Sequence, residues 1–269
     1  MNDVPASRTA LVTGASSGIG MATARALLAR GYRVIGTSRN PDAADRVDGV
    51  EYRALDLTDP AAVERAADWL GTVDVLVNNA GESQSGPLEE LPADAIERLF
   101  RLNVFAPVRL TQLVLPGMRA RRHGRIVMVG SMIASFPLAY RSSYTSVKAA
   151  IKGFADAARL EVSPFGIGVT TVEPGAINTG ISMRRTKYIS QESPYRTDFA
   201  TMLSALDGNE ATGISAERVA ATILSAIGAR RPKPLYAVGS GAPAVFALRR
   251  LLPRTVVEKV VARAYGLRR

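Results

Sequence analysis

The sequence predicts an α/β protein built on a single doubly wound parallel sheet, with helices on both faces and a helical lid insertion. Three observations predict it. Short apolar runs alternate with longer amphipathic stretches along most of the chain, and strand–helix–strand crossovers give parallel strands covered on both sides. A glycine-rich turn stands directly behind the first apolar run, where a strand would pass into a helix. The 269 residues are 47% hydrophobic, enough for one large core. No internal repeat or low-complexity linker divides them, so residues 1–269 read as one domain.

Thr9 to Thr13 is the first apolar run, and a helical pattern follows to about Arg30. Gly31 suits a left-handed helix cap, and Tyr32 to Ser38 reads as the second strand. A weak strand near Val50–Arg53 precedes a helix from Pro60 to Leu70 and a strong strand Val73–Val77. A long helix spans about Ala93 to Arg121, ahead of a strand at Arg125–Val129. The helix through Tyr144 runs to about Glu161, with a strand Ile167–Val172 behind it. A helix Ala216–Ala229 and a strand Leu235–Val238 complete the set. Such sheets bind ligands beyond the carboxyl ends of their strands, and the motifs of this chain fall there.

The first motif is Thr13-Gly14-Ala15-Ser16-Ser17-Gly18-Ile19-Gly20. Gly14 permits the tight turn, Gly18 lets backbone approach a pyrophosphate, and Gly20 lets helix and strand pack closely. The helix amino end adds N–H donors and a positive dipole. Behind the first strand of a βαβ unit, this spacing reads as dinucleotide binding. Ser38-Arg39-Asn40 ends the second strand. An acidic residue there would select NAD, whereas the Arg39 guanidinium can pair with a 2′-phosphate, so NADP(H) is preferred and NAD(H) is the alternative.

Tyr144 and Lys148 stand four residues apart, one helical turn on a common face. A free tyrosine titrates near ~10, and a neighbouring ammonium is expected to lower that value and make the phenol a general acid/base.

Composition excludes other chemistries. There are no cysteines, so disulfides and thiolate metal sites are out, and the one histidine, His123, reads as a solvated loop residue rather than a metal ligand. No secretory signal and no long uncharged apolar run is present, so a cytoplasmic protein is expected. The net charge of +10 is concentrated in residues 245–269, where seven basic side chains meet one acid, Glu258. A local patch without a stacking-rich basic motif does not support nucleic-acid binding.

With Asn78-Asn79-Ala80-Gly81, Asn103, Ser131 and Pro174-Gly175-x3-Thr179 added to these motifs, the chain resembles the classical short-chain dehydrogenase/reductase family over about residues 8–238. The resemblance implies a Rossmann-type fold and a carbonyl–alcohol oxidoreductase using direct hydride transfer. It assigns Tyr144 as general acid/base, Lys148 as its partner, Ser131 as the hydroxyl that positions the carbonyl, and Asn103 as the kink residue of a proton relay. Ser131 ends a strand 13 residues before Tyr144, which favours it over Ser135, Ser142 and Ser143. Asp56, followed by Leu57, would bond the adenine, with Thr58 or Asp59 left to cap the next helix. Asn78 would brace the sheet, and Asn79, Ala80 and Gly81 would line the cofactor ribose. Pro174, Gly175, Ile177 and Thr179 would hold the nicotinamide carboxamide. Family members often carry a second basic residue inside the glycine-rich turn, where this chain has Ser17.

Residues 180–212 interrupt the strand–helix rhythm and read as a lid over a small, apolar substrate, with Glu82, Met132, Leu138 and Met183 beside Tyr144. The alternative is that the apolar lid residues only seal it to the domain. The basic extension 244–269 carries Val256, Val257, Val260, Val261 and Ala264 at helical spacing. Such a stripe more often packs on its own domain or a partner subunit than on an anionic bilayer. By resemblance the protein is a homodimer or homotetramer. A non-catalytic dinucleotide sensor or scaffold is the alternative function, and the full set Ser131, Tyr144, Lys148 and Asn103 argues against it.

Overall fold

A computed structural model describes residues 8–180 and 184–267. The chain opens with β1 (Thr9–Val12), α1 (Gly18–Leu28), β2 (Arg33–Ser38) and β3 (Glu51–Ala54). Two short helices, α2 (Pro60–Arg65) and α3 (Ala67–Leu70), precede β4 (Val75–Asn78), the two-residue strand β5 (Gln84–Ser85) and α4 (Ala93–Phe100). A π-helical turn, Arg101–Phe105, joins α4 to α5 (Ala106–Ala120). Then come β6 (Gly124–Val129), α6 (Ser142–Val162), β7 (Ile167–Pro174), β8 (Thr186–Lys187) and α7 (Arg196–Ala211). The last elements are α8 (Ala216–Gly228), β9 (Leu235–Val238), α9 (Ala244–Leu251) and α10 (Arg254–Ala264).

Seven strands form one parallel sheet in the order β3-β2-β1-β4-β6-β7-β9. Val12 of β1 stands opposite both Gly36 of β2 and Val77 of β4, so their carboxyl ends open on one edge. Alternate strand residues supply two cores. Leu11, Ile35, Leu76, Ile126 and Met128 face α2, α3, α5 and α6, while Ala10, Val12, Val34, Val75, Val77, Val127 and Val129 face α1 and α8. Burying each large aliphatic chain stabilises by about 1.5–3 kcal/mol. This period of two within each strand is what makes the sheet readable from sequence.

The long helix predicted over 93–121 runs from Ala93 to Ala120, with one π-turn inserted near its middle. The lid has more regular structure than its sequence pattern suggested: β8 pairs in parallel with β5, and α7 follows. Phe199, Met202 and Leu206 of α7 form a small core with Leu138 and Leu267. The tail stripe is divided. Val261, Ala262, Tyr265 and Leu267 pack on that lid core, whereas Val256 and Val260 are exposed, as are Leu248 and Leu251 of α9.

His123 corrects its expectation: it is partly buried between α5 and β6, its Nε2 has no partner among the described residues, and burial holds its pKa below the usual histidine range. Among the described residues, no helix is long and apolar enough to cross a membrane.

Candidate active site

The turn between β1 and α1 is locked by side chains from the end of β4. Thr13 Oγ1 accepts the backbone N–H groups of Asn79 and Ala80, each at 3.0 Å. Asn79 Nδ2 in return donates to the carbonyls of Thr13 at 2.9 Å and Gly14 at 3.4 Å. Thr13 is thus an organiser of the turn beyond its place at the start of the motif, and a hydroxyl at a strand's carboxyl end is the sequence signal for that role. Gly14 and Gly18 hold φ of +65° and +49°, a region that glycine enters without strain. A Cβ on Gly20 would lie 2.1 Å from the Gly14 carbonyl oxygen. Ser17 precedes α1 without capping it, which leaves first-turn N–H groups turned to the crevice, as an anion requires. Ser16 is partly exposed on the same turn. These residues fit a dinucleotide phosphate.

Ile19 and Ile177 lean on the α1/α8 side of the sheet. Thr179 closes over the turn, within 3.4 Å of where a Gly18 Cβ would stand. Gly175 N–H donates to the Val238 carbonyl at 2.8 Å, fixing the loop that follows Pro174.

Arg39 is exposed at the end of β2. Asp59 caps α2 through the Ala61 N–H. Asp56 is less free than expected: its Oδ1 accepts the Thr58 N–H at 2.8 Å and the Thr58 hydroxyl at 2.7 Å. The Thr58 N–H, aided by its hydroxyl and by Arg39 against partial burial, holds the Asp56 carboxyl below the usual carboxylate range. Leu57 points its side chain into the core at 5% exposure.

Tyr144 lies in the first turn of α6, and Lys148 lies one turn further on. Lys148 Nζ donates to the Val129 carbonyl at the end of β6, at 3.0 Å, and burial pulls its pKa to about 8. Tyr144 departs from expectation. Burial pushes its phenol above the ordinary tyrosine range; the principal opposing charge is Arg141, with Glu210 reinforcing the rise and Arg185 opposing it. The reason is geometric: the Lys148 ammonium is turned to Val129 and lies 5.7 Å from the tyrosine ring centroid, while the Arg141 guanidinium lies 4.4 Å from it.

Asn103 sits in the π-turn, 2% exposed, with Nδ2 donating to the carbonyls of Leu99 and Glu82. Its Oδ1 has no partner among the described residues. A Cβ on Gly81 would fall 2.6 Å from that oxygen and 3.8 Å from Lys148 Nζ, so Gly81, Asn103 and Lys148 meet at one spot. Asn78 Nδ2 ties β4 to Thr111 of α5 at 3.2 Å. Ser131 stands two residues beyond Val129, and its Oγ accepts the Ile133 N–H at 3.3 Å. That bond uses a lone pair and leaves the hydroxyl proton to donate. Ser135 is engaged elsewhere, donating to buried Glu173 at 3.0 Å and accepting from Lys152 at 2.8 Å. Ser143 accepts from Gln84 at 3.0 Å.

Comparison with known proteins matches the short chain dehydrogenase family model to residues 8–189. This chain belongs to the short-chain dehydrogenase/reductase family. It is 31% identical over 265 residues to a 3-ketodihydrosphingosine reductase of Bacteroides thetaiotaomicron, covering 96% of this chain and 98% of that protein. Among solved structures, a short-chain dehydrogenase from Streptomyces avermitilis aligns with a TM-score of 0.80 at 34% identity, covering 98% of each chain. One from Sphingobium yanoikuyae in complex with NADPH aligns with a TM-score of 0.71 at 27% identity, over 90% of this chain and 91% of that one.

On the substrate side of this short-chain dehydrogenase/reductase site, the expected lining residues separate. Glu82 forms an ion pair with Arg98 at 2.7 Å. Leu138 packs into the lid core, and Met132 is buried on the turn after Ser131. Met183 lies outside the described residues. A cleft of about 420 Å³ is lined instead by Pro87, Leu88, Glu89, Tyr140, Ser142 and Tyr195. The buried Ser142 Oγ has no partner among the described residues.

Proposed function

We propose that the protein is an NADP(H)-dependent oxidoreductase that interconverts a ketone or aldehyde with an alcohol on a small, hydrophobic substrate. The observation that carries this reading is the meeting of Lys148 Nζ, Gly81 and the Asn103 Oδ1, which has no partner among the described residues, beside Tyr144 and the end of β6. The NADPH complex of the Sphingobium relative and the exposed Arg39 at the end of β2 support the cofactor. The Bacteroides relative, whose name records reduction of 3-ketodihydrosphingosine, supports a ketone with apolar character. The cleft adds Pro87, Leu88, Tyr140 and Tyr195 beside the polar Glu89 and Ser142.

When bound, the nicotinamide group supplies or accepts a hydride. The protein's own groups do the rest. Gly14 to Gly20 and the free amino end of α1 hold phosphate, Arg39 takes the 2′-phosphate, and Asp56 bonds the adenine. Asn79, Ala80, Gly81, Pro174, Gly175, Ile177 and Thr179 line the ribose and carboxamide end. The Ser131 hydroxyl donates to the substrate oxygen and sets it against Tyr144, which gives its proton to that oxygen in reduction and takes it back in oxidation. Lys148 bonds the cofactor ribose, and Asn103 supports proton resupply.

The protein assembles as a homo-oligomer. Phe105 of the π-turn, Phe154 and Leu160 of α6, and Phe165 on the turn after it, all large and exposed, supply an apolar surface for a second copy. The reading is tested with a panel of hydrophobic ketones and alcohols, followed by nicotinamide absorbance with each cofactor. Tyr144→Phe should abolish turnover while leaving NADPH binding nearly intact, and retained turnover would refute it.

A further inference from the structure

A buried arginine stands against the candidate acid/base. Arg141 is the residue that precedes α6, and its carbonyl accepts the Thr145 N–H at 2.8 Å. Its side chain folds back over its own helix, with the guanidinium carbon 4.4 Å from the centroid of the Tyr144 ring and the residue only 4% exposed. Nη1 donates to Ser85 Oγ of β5 at 3.0 Å, while Nε has no acceptor among the described residues. Burying a guanidinium with an unmatched donor costs stability. An apolar side chain could fill the same space at less cost, so the charge calls for another explanation.

We propose that Arg141 is a positioning residue for the reaction, holding the Tyr144 ring by its contact with the ring face and placing a positive charge closer to the ring centre than Lys148 does. The proposal rests on Tyr144 being the acid/base. A guanidinium held over an aromatic face restricts ring rotation and adds a cation–π attraction that desolvation strengthens. A cation at this range favours the phenolate over the phenol.

The other charged and titratable groups around the pair come from several elements. Lys148 lies on α6 itself, Arg185 on the lid ahead of β8, Glu210 on α7, and Tyr265 behind α10. Arg185 is committed to Asp207 at 2.7 Å and to Glu210, and Lys148 to the Val129 carbonyl. Arg141 is the cation closer to the ring centre. Burial lowers its own pKa to about 10, so it is charged at neutral pH.

The test compares wild type, Arg141→Met and Arg141→Lys by the pH profile of kcat for alcohol oxidation, with the NADPH dissociation constant measured in parallel by cofactor fluorescence. Oxidation needs the phenolate, so its rate rises with pH through the tyrosine pKa. Removing the cation should move that limb to higher pH by about one unit, a loss of about tenfold at neutral pH, with NADPH binding unchanged. Arg141→Lys should keep the limb near its wild-type position while lowering kcat, because charge is retained and the guanidinium's contact with the ring is lost.

An ultraviolet phenolate titration of free enzyme, read as the difference from Tyr144→Phe, should show the same displacement without any turnover. Folded Arg141→Met with unmoved limb and unmoved titration overturns the proposal, even if Tyr144→Phe is inactive. Turnover by Tyr144→Phe overturns the site assignment instead. Should Arg141→Met fail to fold, Ser85→Ala releases the guanidinium from its anchor without changing charge; full kcat in both Ser85→Ala and Arg141→Lys also overturns it.

Discussion

Lys148 Nζ donates to the Val129 carbonyl at 3.0 Å from a position only 6% exposed. The bond joins α6 to the end of β6 and fixes where the ammonium sits. It also sets a pH signature, because burial lowers this lysine from 10.5 to about 8.

Below pH 8 the folded protein carries a buried charge that the unfolded chain keeps in water. That difference opposes folding by about 3 kcal/mol. Between about pH 8 and 10.5 the unfolded chain binds the proton and the native state has released it, so stability contributed by this group rises with pH. Urea midpoints across pH 7 to 11 should show this rise in wild type relative to Lys148→Met, and the variant should also be inactive. Parallel curves would show that the lysine is not buried as described.

Gly20→Ala tests the phosphate cradle. The added Cβ would meet the Gly14 carbonyl oxygen at 2.1 Å and Asn79 Nδ2 at 2.6 Å, and neither can yield without opening the turn. A stability loss of about 1–3 kcal/mol is expected, along with lost NADPH binding by calorimetry. Gly153→Ala, with nothing within 4 Å of its Cβ, serves as the harmless control.

Arg39→Ala should weaken NADPH about 10- to 100-fold, the equivalent of one charge-assisted hydrogen bond. NADH affinity should stay put, since the two differ only at the 2′-phosphate. Equal losses for both cofactors would place Arg39 elsewhere than beside that group.

The Lys152–Glu173 ion pair, at 2.9 Å with the carboxylate wholly buried, holds Ser135 between α6 and β7. Lys152→Met leaves Glu173 without its countercharge and should cost about 3 kcal/mol in chemical denaturation. Adding Glu173→Gln should restore most of that loss. A second substitution that deepens it would mean the pair itself is the stabilising unit.

Much of the fold and site was legible before any coordinates. Strand residues such as Leu11 and Val12 alternate between two cores, and Gly14, Gly18 and Gly20 declare a turn that side chains would block. These are local signals, carried by residues a few positions apart. The lining set of Glu82, Met132 and Leu138 was not legible in this way, because whether a side chain faces a cleft, an arginine or the lid core depends on elements far along the chain.

What the sequence determined by itself was the sheet, the crevice at its carboxyl edge and the spacing of Tyr144 and Lys148. Tertiary structure decided which cation lies nearest the Tyr144 ring centre, what the lysine bonds, how β5 and β8 seat the lid, and where the π-turn holds Asn103. The physical reason is range. Backbone periodicity and turn chemistry act over a few residues, whereas the field and desolvation at the partly buried Tyr144 sum over groups as distant in sequence as Arg141, Arg185 and Glu210, which only the folded chain brings together.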